Sequence, residues 1–135
     1  MKPIALNIIA ILGGLILGSA VNMGLISIGS VLVPPPAGVD VSSMEGLANA
    51  MHLYEPKHFL FPFLAHSLGT LVGAVFAAKI AATHKLIMAF VIGIAFFAGG
   101  ATMVFSLPSP LWFNALDLIF AYIPMAYLGH QLVKK

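Results

Sequence analysis

The chain has 135 residues, 61% hydrophobic and 7% charged, with a mean hydropathy of +1.07 and a formal net charge of +2. That composition leaves no room for a soluble domain, and its six lysines, scattered at segment ends without a single arginine, exclude a nucleic-acid-binding surface. The absence of cysteine excludes disulfides, thiolate metal sites and iron–sulfur clusters.

A membrane-spanning helix needs about 20 mainly apolar residues, and four such runs fill the chain. The first, about 4–33, ends at Pro34, Pro35 and Pro36, because proline lacks the amide donor and restricts the residue before it. Lys2 followed by an apolar run with Gly18 and Ala20 resembles a signal peptide, but the run continues to Val33, which predicts a retained first span. In the following loop, 34–55, Ser42 and Glu45 have the spacing of a capping box. Met44, Leu47, Ala48 and Met51 recur at helical spacing after it, predicting a short amphipathic helix at the membrane surface.

The second span, about 56–83, starts at Pro56. Only His84 and Lys85 separate it from the third, about 86–107, so these two are antiparallel neighbours. Pro108 and Pro110 form the next turn, Trp112 stands where an interfacial aromatic belongs, and the fourth span runs about 112–133. With four spans, Asp40, Glu45, Glu55 and Asp117 fall on one side. Every lysine but Lys57 falls on the other. Lysine-rich segments stay in the cytoplasm, so both termini are expected there and the 34–55 loop outside. Gly13, Ser19, Asn22 and Met23 match Gly93, Gly99, Thr102 and Met103 at one constant offset, a slight signal of a two-plus-two repeat.

Polar groups within spans are costly unless partnered, which makes them the functional candidates. They are Asn22, His66, Asn114 and Asp117, with Glu55 sharing the helical face of His66, Gly69, Gly73 and Ala77. Pro124, on the face of Asn114 and Asp117, frees a backbone carbonyl. The functional reading makes His66 a ligand contact or proton carrier beside the negative charge of Asp117 and Glu55, in a cavity open to the outside. The plainer reading is an interhelical hydrogen bond from His66 to Asn22 or Asp117. Gly14 with Gly18, and Gly69 with Gly73, are small-xxx-small pairs that serve either packing within one chain or a dimer face. His52, Glu55, His58, His66 and Asp117 are suitable metal-ligand types, but no short ligand motif joins them, so neither a metal nor a cofactor is predicted.

The stretches Pro34-Pro35-Pro36-Ala37-Gly38-Val39-Asp40, Glu55-Pro56-Lys57-His58-Phe59 and Phe63-Leu64-Ala65-His66-Ser67-Leu68-Gly69-Thr70 resemble a family of small bacterial four-helix membrane proteins. The resemblance implies a bacterial inner-membrane location and carries no activity. The expectation is an all-α integral membrane protein, a four-transmembrane-helix bundle with a short amphipathic helix in the first external loop. Its expected partners are the lipid bilayer, further copies of itself or a larger membrane complex, and a small solute or ion that it binds or transports through an outward-facing polar cavity. Two other readings stay open: an accessory or assembly subunit of a larger membrane complex, and an intramembrane enzyme using His66 with Asp117 or Glu55 on a lipid or quinone.

Overall fold

A computed structural model describes residues 1–134 and is all-helical, with no strand among them. Lys135, counted above with the cytoplasmic lysines, lies outside the described residues. In chain order the helices are α1 (Pro3–Leu32), α2 (Met44–Ala50), α3 (Leu60–Ile80), α4 (Lys85–Ser106), α5 (Leu111–Phe120) and α6 (Ile123–Val133), with 3-10 turns at Met51–Leu53 and Pro56–Phe59. Four segments are long and apolar enough to cross a membrane: Pro3–Leu32, Pro56–Ile80, Lys85–Ser106 and Leu111–Val133. Their outward faces are apolar too, with Ile16, Met23, Phe105 and Leu111 all exposed.

Proline sets the two irregularities that matter for the site. Pro56 opens a 3-10 turn before α3 begins, and Pro124 stands in the first turn of α6, directly after the chain leaves helical geometry at Tyr122 (φ −118°, ψ −75°). A proline in mid-helix removes the bond to the carbonyl four residues back, so the fourth span divides into α5 and α6. The loop differs by one residue from the sequence reading. Ser43 rather than Ser42 caps α2, its Oγ accepting from the Gly46 N–H at 3.0 Å, because Ser42 is engaged through both its N–H and its hydroxyl with Asp40 Oδ1. Those two bonds hold the Asp40 carboxyl below the usual carboxylate range.

The bundle has two ends. The loop end carries the 33–59 segment and the 107–110 turn; the other end carries the N-terminus, the 81–84 turn and the last residues of α6. In the half toward the 81–84 turn, α1 and α3 meet backbone to backbone. A Cβ placed on Gly14 lies 2.7 Å from the Gly73 carbonyl oxygen and one on Gly73 lies 2.6 Å from that of Gly14; Gly18 and Gly69 repeat the arrangement at 2.6 and 2.8 Å. As one number rises by four its partner falls by four, so the two helices run antiparallel. All four glycines named from the sequence therefore pack within one chain, and their shared seam is not a face open to a second copy. Around it Ala74, Ala77, Ala78, Ala89, Ile92 and Ala126 form the main core, closed further by Gly93 against Ala126 and Gly129 against Ala74. Asn7, far from the candidate cluster, ties α1 to the 81–84 turn: its Oδ1 accepts from the N–H groups of Ala82 and Thr83, and its Nδ2 donates to Thr83 Oγ1.

Candidate functional site

The half of the bundle nearer the loop end is built differently. It encloses a cavity of about 630 Å³, with walls that include Phe61, Phe96, Phe113 and Met103. Asn22, His66, Asn114 and Asp117 all line it, so four of the five polar candidates converge on one space. At its polar side, His66 Nδ1 lies 2.8 Å from Asp117 Oδ1, while the Tyr122 hydroxyl donates to Asp117 Oδ2 at 2.7 Å. Asp117 is thus held between two partners, one from α3 and one from the α5–α6 junction. Its side chain is 6% exposed, against 23% for His66. Burying a carboxylate this far is tolerable only because both oxygens receive a hydrogen bond.

The tautomer follows from the partner. With Asp117 ionised and the imidazole neutral, Nδ1 of His66 carries the proton and donates it, which leaves Nε2 as a hydrogen-bond acceptor. No protein group among the described residues bonds to that nitrogen. Asn22 makes no side-chain hydrogen bond either, and its Oδ1 is buried. It lies against Gly69, one turn along α3 from His66: a Cβ on Gly69 would come within 3.1 Å of Asn22 Cβ. An unengaged imidazole nitrogen and an unengaged amide therefore face a mainly apolar space. Asn114 is less free, since its Nδ2 donates to the Ser109 carbonyl and steadies the turn before α5.

Glu55 does not join them. It is exposed on the loop, 3.4 Å from Lys57 Nζ, and its backbone N–H donates to His58 Nδ1 at 2.8 Å. The shared helical face assumed 3.6 residues per turn, but Pro56–Phe59 is a 3-10 turn with about 3.0. Over four residues that difference rotates the preceding position by about 80°. His58 turns out to be structural: with Nδ1 accepting, its Nε2 donates to the Pro34 carbonyl at 3.1 Å and ties the start of the loop to the start of α3.

No family model, curated protein or solved structure matches this chain.

Tyr122 is the residue that sequence reasoning missed. On an unbroken helix, positions five apart lie about 140° from each other, so Tyr122 should not face Asp117. The bend before Pro124 turns it back. It is 1% exposed, its ring stacks on His66 at 5.9 Å between centroids, and Phe97 meets its edge at 5.9 Å. Gly100 makes room for it, since a Cβ there would collide with the Tyr122 ring and hydroxyl. A tyrosine in mid-span has a hydroxyl that must find a partner, and that was the available signal. One imidazole and one carboxylate make a poor metal site, and among the described residues no group of three His, Asp or Glu side chains gathers to hold an ion.

Proposed function

We propose that this is a multi-pass protein of the bacterial inner membrane, with both termini cytoplasmic, and that its loop-end cavity binds a small ligand through His66 and Asn22. Lysine placement supports the orientation, since Lys2, Lys79, Lys85 and Lys134 lie toward one end of the bundle while Asp40, Glu45 and Glu55 lie toward the other. On this reading α2 lies at the outer membrane surface over the cavity. Reporters fused after Lys135 and inserted near Gly38 test the topology: an internal signal from the first and an external one from the second are expected, and the reverse pattern overturns it.

The observation carrying the binding reading is Asp117 fixed between His66 and Tyr122 while His66 Nε2 remains unengaged toward an apolar space. A pocket with apolar walls and a few convergent polar groups is the usual form of a small-molecule site. The other half of the bundle is closed by the Gly14–Gly73 and Gly18–Gly69 contacts, which favours binding over passage through the chain. A second reading, an intramembrane enzyme acting on a lipid or quinone, draws on the same nitrogen: a carboxylate-oriented imidazole is a general base for a hydroxyl placed against it.

Comparison of the small molecules that co-purify with the parent, with His66→Ala and with Asp117→Asn tests binding. A species retained by the parent and lost from both folded variants is expected. Identical profiles, with only thermal stability reduced, would make the cluster purely structural.

A further inference from the structure

The walls of the cavity say where a ligand enters and what its polar end must be. Toward the loop end, Leu47, Met51 and Tyr54 line the cavity and Met51 packs with Phe59 and Phe113, while the exposed Val41 lines it there too. On the flank of α3, the His66–Asp117 bond joins α3 to α5, and Gly29 on α1 lies against Phe61 on α3. α1 and α4 are different. They meet through Gly14 with Ile92 and Gly18 with Phe96, both on the far side of Asn22 from the loop. Nearer the loop, Ile26 and Ser30 on α1 and Gly99 and Met103 on α4 line the cavity and are at the same time exposed on the outer surface. A Cβ on Gly99 would have nothing within 4 Å. This slot opens on the face that would meet hydrocarbon.

The lining holds no lysine, and its one acid is Asp117. A phosphate or carboxylate head would be buried beside that carboxylate, with His66 already paired to Asp117 and both ring nitrogens of His58 engaged by backbone, an arrangement that costs several kcal/mol. A hydroxyl fits: it donates to His66 Nε2 and accepts from the free amide of Asn22. A volume of about 630 Å³ leaves space for an apolar chain along Phe61, Phe96 and Phe113.

We propose that the ligand is a neutral, hydroxyl-bearing amphiphile dissolved in the bilayer, and that it enters sideways between α1 and α4. This rests on the cavity being a binding site, as proposed above. The test uses the full chain in lipid nanodiscs and three photoactivatable probes: a diazirine-bearing hexadecanol, the matching hexadecanoic acid, and a water-soluble diazirine butanol. Labelled residues are read by mass spectrometry. Gly99→Trp plugs the slot, and Gly24→Trp is the control, since neither glycine has an atom within 4 Å of its would-be Cβ and both variants should fold.

Hexadecanol is expected to label Phe96 and the buried Phe113, with the acid labelling them about tenfold less, the ratio that ~1.4 kcal/mol of head-group discrimination gives. Gly99→Trp should cut the hexadecanol signal by a similar factor, and Gly24→Trp should leave it unchanged. Equal labelling by acid and alcohol overturns the head-group assignment. Undiminished labelling in Gly99→Trp overturns the lateral route. If only butanol labels these residues, the amphiphile proposal fails while the binding site stands; if none of the three probes does, the binding site fails with it.

Discussion

The two halves of this bundle solve the same packing problem in opposite ways. Toward the 81–84 turn, glycine and alanine let backbones touch, and the core is made of Ala74, Ala77, Ala78, Ala89 and Ala126 around Ile92. Toward the loop end, Phe61, Phe96 and Phe113 line an open space edged by a hydrogen-bonded His–Asp–Tyr cluster. α1, α3 and α4 run through both halves, whereas the fourth span gives α6 to the closed half and α5 to the open one. Small residues on facing helices close the space between them. Toward the loop end α1 and α3 stay in contact through Gly29 and Phe61, and the open space lies between them and Phe96 of α4 and Phe113 of α5.

The largest test of this contrast is a bulky residue in the seam. Gly18→Leu drives a side chain into the Gly69 carbonyl, an obstacle of backbone that cannot rotate away. Its cost should exceed the roughly 1–3 kcal/mol usual for overpacking, with loss of most folded material in detergent. Gly24→Leu, on the same helix but facing open space, should melt with the parent. Equal melting of the two variants would break the comparison.

Next in size, Asp117→Ala leaves the Tyr122 hydroxyl and His66 Nδ1 without their partner. It should lower stability by about 3 kcal/mol, read as a fall in melting temperature. Tyr122→Phe removes one of the two bonds and should cost about half as much. Gly100→Ala displaces the same ring by crowding it and should act in the same direction. Should Tyr122→Phe melt with the parent, Asp117 is held by His66 alone.

The smallest expected effect is at Asp40. Its depressed folded-state pKa means that its carboxylate steadies the turn before α2 above the ordinary carboxylate range, and that this contribution is lost as pH falls through the folded value. The protection factor of the Ser42 amide, its exchange rate set against the intrinsic rate at the same pH, should fall on acidification, and Asp40→Asn should remove most of that fall.

Much of this was legible in the residues. Long apolar runs bounded by Pro34–Pro36, by His84–Lys85 and by Pro108–Pro110 place four helical segments to within a few residues, because length and proline are strong local signals. The glycines of α1 and α3 could be named but not paired, since spacing alone does not choose between a partner helix and a second chain. Asn22, His66, Asn114 and Asp117 could be named because a polar group inside an apolar run stands out. What failed were the inferences that assumed a straight, regular helix. Glu55 was placed on the face of His66 through a 3-10 turn that rotates it away, and Tyr122 was overlooked because the break before Pro124 brings it round. Both failures lie beside a proline, where helical phase is lost.

The contrast between a closed half and an open half is tested most directly by thiol reactivity, for which the cysteine-free chain is already suited. Asn22→Cys places a thiol at the cavity and Ala89→Cys places one in the alanine core, where the native residue has no exposed surface. With both variants in nanodiscs and melting near the parent, N-ethylmaleimide, small and membrane-permeable, should modify Asn22→Cys in the native state. Ala89→Cys should remain unmodified until the fold opens. Comparable native-state reaction at the two positions, or protection of both, would contradict the account.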